Sequence, residues 1–87
     1  MPTVFIPAQL RGLTNGQAQV EVAAETVAEA IKRLEEQFPG IRERLCLAGE
    51  LLPGLQVSID HRFTRQGLSA ALQPNSEVHF LPVIGGG

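Results

Sequence analysis

"ETVAEAIKRLEEQFPG", residues 25–40, has a periodicity that admits one reading. Val27, Ile31, Leu34 and Phe38 recur at spacings of four, three and four, which a 3.6-residue turn stacks into a single apolar stripe. Glu25, Lys32, Glu35 and Glu36 fall on the other side. Thr26 followed by Glu29 predicts a capping box: the threonine oxygen accepts from the N3 amide while the glutamate reaches back to the cap's own N–H. Pro39-Gly40 stops the helix. One stripe needs one covering layer, so it reads as a core seam against a sheet and calls for no cofactor.

On the N-terminal side, "TVFIPA" (3–8) places Val4 and Ile6 on one face and Thr3 and Phe5 on the other, the period-2 pattern of a strand. "LTNG" (13–16) supplies the turn dipeptide Asn15-Gly16, and "QAQVEVA" (17–23) resumes alternation with Val20 and Val22 together. Residues 3–23 therefore read as a β-hairpin with a long connection. On the C-terminal side, "IRERL" (41–45) predicts a helical turn and "AGELLPG" (48–54) a loop. "LQVSID" (55–60) and "HRFTRQ" (61–66) predict two antiparallel strands turning at Asp60-His61. "GLSAAL" (67–72) fits no single pattern. "QPNS" (73–76) is a turn, and "EVHFLPVI" (77–84) is a last strand with Val78 and Phe80 on one face, His79 and Leu81 on the other. One helix covers only one face of such a sheet. By parity the second face presents Phe5, Pro7, His79 and Leu81, with Phe63 beside them if its strand keeps register. Grouped apolar side chains on an uncovered face form a candidate docking patch.

Composition bounds the rest. Eighty-seven residues suit one domain with one modest core, and 44% hydrophobic with 18% charged residues is a folding composition. A net charge of −2 argues against nucleic acid as a partner, since phosphate neutralisation needs clustered Lys and Arg. No apolar run approaches the roughly 20 residues of a membrane span, and "MPTVFIPAQL" lacks a basic leader region, so the expected compartment is the cytoplasm. Cys46 is the only cysteine and reads as a small buried hydrophobe. His61 and His79 have no ligand-like spacing, and no metal site is expected.

The chain finishes "HFLPVIGGG" (79–87), and three glycines place Gly85, Gly86 and Gly87 where backbone freedom is greatest. Together with "IPAQLRGLT", "FPGIRERL" and "EVHFLPVIGGG", this ending resembles the ubiquitin-like sulfur carriers of the ThiS/MoaD family over nearly the whole chain. The resemblance implies an α+β, β-grasp fold: a mixed sheet of four or five strands with one main helix packed on one face. Residues 1–84 would be a single domain and residues 85–87 a flexible C-terminal tail. Asp60-His61 departs from the Asn- or Gly-containing turn of relatives.

The family's chemistry also gives the glycines a role. It implies a carrier that is not itself an enzyme and holds no permanent cofactor. A ThiF/MoeB-type adenylyltransferase uses ATP to activate the Gly87 carboxylate, and a sulfur donor displaces AMP to leave a thiocarboxylate. Gly86 keeps the thread narrow, and three extended residues reach about 10 Å past Ile84. Ordering them costs on the order of 3–6 kcal/mol, so the body must supply docking energy through Phe5, Pro7, Phe63, His79 and Leu81, with Gly85 at the root of the tail. The sulfur acceptor would be a molybdopterin synthase large subunit or a cysteine synthase. Two other readings stay open on the residues alone: a ubiquitin-like modifier conjugated to lysines, and a non-catalytic β-grasp interaction module.

Overall fold

A computed structural model describes residues 1–82; the expected tail, and the expected continuation of the last strand over 83–84, lie outside them. The first hairpin forms as read. β1 (Thr3–Phe5) pairs antiparallel with β2 (Gln19–Glu21), and the alternation buries Val4, Ile6, Val20 and Val22. The connection is a 3-10 helix over Ala8–Thr14, opened by Pro7. Asn15-Gly16, with φ of 56° and 81°, ends that helix and makes the expected turn toward β2. Thr14 is buried inside the connection without penalty, because its hydroxyl donates to the Gln17 carbonyl at 2.8 Å.

The main helix, α1 (Val27–Gln37), is capped by Thr26, whose Oγ1 accepts from the Glu29 amide at 3.1 Å. The reciprocal half of the box differs from expectation. The Glu29 carboxylate accepts from the Glu25 amide at 2.7 Å, one residue before the cap. An orphan donor is satisfied either way, because the amides at the helix entrance have no partners within the helix. Val27, Ala30, Ile31 and Leu34 are all at most 2% exposed, and Phe38 closes the stripe.

α2 (Ile41–Leu45) follows at once. The Glu35 carboxylate, from the last turn of α1, accepts from the amides of Gly40 and Arg42 at 3.0 and 2.8 Å and so caps α2 from outside. Those amides hold its carboxyl below the usual glutamate range. The stretch read as a loop contains a small hairpin, β3 (Cys46–Leu47) with β4 (Glu50–Leu51). Two-residue strands give too little alternation to be read, but Ala48 and Gly49, at φ 54° and 81°, make the connecting turn.

β5 (Leu55–Ile59) and β6 (Arg62–Thr64) turn back at Asp60-His61 as expected, and β7 (Glu77–Pro82) closes the domain. The "GLSAAL" stretch holds a 3-10 turn over Gly67–Ser69, and Ala71 bridges to Thr26. The five main strands lie in the order β2-β1-β7-β5-β6. β7 therefore enters the centre of the sheet, parallel to β1 and antiparallel to β5, which makes the sheet mixed. Its Val78 and Phe80 join Val4, Val20 and Val57 beneath the helix. Burying each such side chain stabilises the fold by about 1.5–3 kcal/mol. This is the α+β, β-grasp arrangement, with helix on one face only.

Candidate docking face

The strand registers assemble the uncovered face row by row. Phe5 sits opposite Gln19 on β2 and His79 on β7; His79 sits opposite Ser58 on β5, and Ser58 opposite Phe63 on β6. Gln19, Phe5, His79, Ser58 and Phe63 thus form one line across all five strands. The next position along β7 on this face is Leu81, paired with Gln56. Phe63 keeps 60% of its surface in water and Leu81 38%, high values for side chains of this kind. Phe5 and His79 are half-buried because they cover one another: their rings stack with centroids 4.1 Å apart and planes 10° from parallel.

Four of the five expected body residues, Phe5, Phe63, His79 and Leu81, are therefore brought together. Pro7 lies past the end of β1, half-buried, where it opens the 3-10 connection. Gly85, Gly86 and Gly87 fall outside the described residues. Besides Gln19 and Gln56, two members of the face were not anticipated. Ser58 is only 6% exposed on a face without a helix, as a small side chain between two rings would be. Parity within "LQVSID" carried that signal, since Ser58 must point away from Val57. His61 is the other: its ring lies 6.4 Å from that of His79, and its Nε2 is 3.9 Å from the Glu77 carboxylate. Their separation in sequence hides this contact until the sheet order is known.

On the opposite side of the molecule, Ala28, Ile31, Arg42, Cys46 and Leu68 line a shallow cleft of about 390 Å³. Burial there pushes the Cys46 thiol up, with Arg42 opposing weakly. Cys46 is only partly buried, short of the buried site expected, because it packs against the core from the cleft's edge. Among the described residues no helix is long and apolar enough to cross a membrane, and no three His, Cys, Asp or Glu side chains converge as metal ligands would.

A model of the ThiS family matches residues 4–87. The chain belongs to the ThiS family. The sulfur carrier protein CysO of Mycobacterium tuberculosis is 35% identical over 91 residues, covering 98% of this chain and 97% of that protein. Among solved structures, a chain of the Amycolatopsis orientalis BexX/CysO complex superposes on this ThiS-family chain with a TM-score of 0.90 at 32% identity, covering 100% of both. The small archaeal modifier protein 1 of Methanosarcina acetivorans superposes with a TM-score of 0.79, covering 99% of this chain and 95% of its own; at 22% identity that likeness shows the fold alone.

Proposed function

We propose that this protein is a sulfur carrier whose Gly87 carboxylate is charged with sulfur by one partner enzyme and unloaded by another. The observation that carries the reading is the family match, which runs through Gly86 and Gly87, joined to near-full-length relatives named as sulfur carriers. A carboxylate resists nucleophilic attack because its charge is delocalised. In the proposed cycle a Gly87 oxygen attacks the α-phosphorus of ATP on a ThiF/MoeB-type enzyme and pyrophosphate leaves. A sulfur nucleophile at the oxidation level of sulfide then attacks the acyl carbon, and AMP departs. The product is a thiocarboxylate, a nucleophile that hands its sulfur to an acceptor.

The chain itself supplies no acid or base for this cycle. It supplies a narrow terminus and a body that docks. Gly86 has no Cβ to widen the thread, and the row Phe5, His79, Phe63 with Leu81 provides the apolar area for docking. A specific interface needs about 1,000 Å² in total, more than a glycine tail offers, so the sheet face must carry most of it. Pro7 and Gly85 are assigned to the same proposed contact. For the acceptor, the likeness to CysO favours a cysteine-synthase-type enzyme over a molybdopterin synthase large subunit.

Mass spectrometry tests the reading. Incubated with ATP, a sulfide source and a ThiF/MoeB-type enzyme, the intact chain should gain the oxygen-to-sulfur mass difference at its C-terminus. The chain lacking Gly87, and Gly86→Ala, should gain little or none while melting at the wild-type temperature. No mass gain on the intact chain, with Gly87 found in isopeptide linkage to lysines of other proteins, would make it a modifier instead.

A further inference from the structure

We propose that Asp60 is a positioning residue: its carboxylate clamps the β5–β6 turn to the start of β7 and so sets His61 near His79 and Phe63 across Ser58 from it. The consequence for docking rests on the sulfur-carrier reading above.

The turn needs a clamp. Asp60 and His61 both have positive φ, 51° and 71°, and neither is glycine. That geometry lets a two-residue hairpin follow the twist of its strands, whereas the commoner turn types splay them. Left-handed backbone is unfavourable for most residues, though Asp tolerates it better than His. Three hydrogen bonds offset the strain. The Asp60 amide donates to the Glu77 carbonyl at 3.0 Å, the Glu77 amide donates to Oδ1 at 2.9 Å, and the Ser76 hydroxyl donates to Oδ2 at 3.2 Å. Ser76 is 1% exposed, and its carbonyl accepts from the Thr3 amide at 2.9 Å, so the clamp is continuous with β1.

What the turn controls follows from the sheet order. β6 is three residues long, lies at the edge, and pairs within the sheet only with β5. The turn therefore governs where Phe63 sits relative to His79 more than any packing beneath it does.

Two variants separate positioning from folding. Asp60→Gly keeps the backbone angle and removes the carboxylate; Asp60→Asn keeps an oxygen for the Glu77 amide and tolerates the same angle. With ATP and a ThiF/MoeB-type enzyme, Asp60→Gly should raise the KM for the carrier about fivefold with kcat within about twofold, and Asp60→Asn should restore KM to within about twofold of wild type. An Asp60→Gly chain with wild-type KM, an Asp60→Asn chain as impaired as Asp60→Gly, or an Asp60→Gly chain that does not fold overturns the proposal. A wild-type chain that is never adenylated defeats the carrier reading instead. The clamp is then judged by NMR: the proton contact between the His61 and His79 rings should persist in wild type and Asp60→Asn and vanish in Asp60→Gly. Identical spectra in all three would overturn it.

Discussion

Truncating Phe63 should separate docking from folding more cleanly than any other single change. With 60% of the side chain in water and a full aromatic burial of roughly 200 Å², about 120 Å² is available to a partner. At about 25 cal/mol per Å² that area is worth at most ~3 kcal/mol. Part of it survives in the alanine, and ordering of side chains at an interface consumes more. The expected loss for Phe63→Ala is therefore about 1–2 kcal/mol, or about five- to thirtyfold in Kd. Stability should hardly move, because a side chain already exposed on an edge strand loses little on truncation: about 0.5 kcal/mol at most, or no more than about 4 °C in Tm. Phe80→Ala, truncating a ring only 4% exposed, should by contrast cost about 3–5 kcal/mol of stability. Calorimetric titration against the ThiF/MoeB-type enzyme, paired with thermal melts, reads both quantities. Leu81→Asp should weaken binding in the same way, and Lys32→Ala, on the exposed side of α1, should leave it within about twofold. Wild-type affinity in Phe63→Ala and Leu81→Asp, with a loss in Lys32→Ala, would move the interface to the helix side and refute the reasoning.

The local devices make their own predictions. Thr26→Ala removes the hydroxyl that accepts from the Glu29 amide and should cost about 1 kcal/mol, seen as a fall of about 4–8 °C in Tm, with Thr26→Ser recovering most of it. Glu35 gives an acid-pH signature. Its folded pKa is depressed by the amides of Arg42 and Gly40, so its contribution is present above the ordinary glutamate value of 4.5 and is lost as pH falls through the lower folded value. Glu35→Gln should flatten the acid limb of a Tm-against-pH curve while leaving its neutral-pH shape alone; a limb as steep as wild type would mean that the cap does not act in solution. Because that carboxylate holds the entrance to α2, Glu35→Lys would disturb the fold, and Lys32 is the better probe of the helix face.

What could be read from the chain was whatever depends on neighbours in sequence. The stripe Val27, Ile31, Leu34, Phe38 is legible because helix geometry alone brings those positions together, and the faces of β1, β5 and β7 are legible because a two-residue period survives any sheet order. Phe5, His79 and Leu81 could be assigned to a common face on parity, although nothing in the sequence says that Phe5 and His79 are adjacent. That adjacency needs β1 and β7 to pair in parallel from opposite ends of the chain. The same long-range pairing hides the approach of His61 to His79 and the reach of Asp60 to Ser76 and Glu77. Asn15-Gly16 was legible as a turn, while the 3-10 helix before it was not, since the left-handed backbone that suits a turn also ends such a helix.

The sheet order also ties the proposed docking row to the proposed reactive end. With β7 at an edge, Leu81 and His79 would have a neighbour on one side only, and Phe5 and Phe63 could not flank them from both. In the centre, β7 carries His79 between Phe5 on β1 and, across Ser58, Phe63 on β6, and then Leu81 at the last outward position among the described residues. Pro82 has no N–H to give, so it cannot donate to a ladder on either side. A partner seated on this row therefore touches the strand that leads to Gly87, and any change that shifts Phe63 away from His79 alters the partner's hold on that strand. That coupling is why the Asp60 variants are expected to act on KM and not on the chemistry of activation.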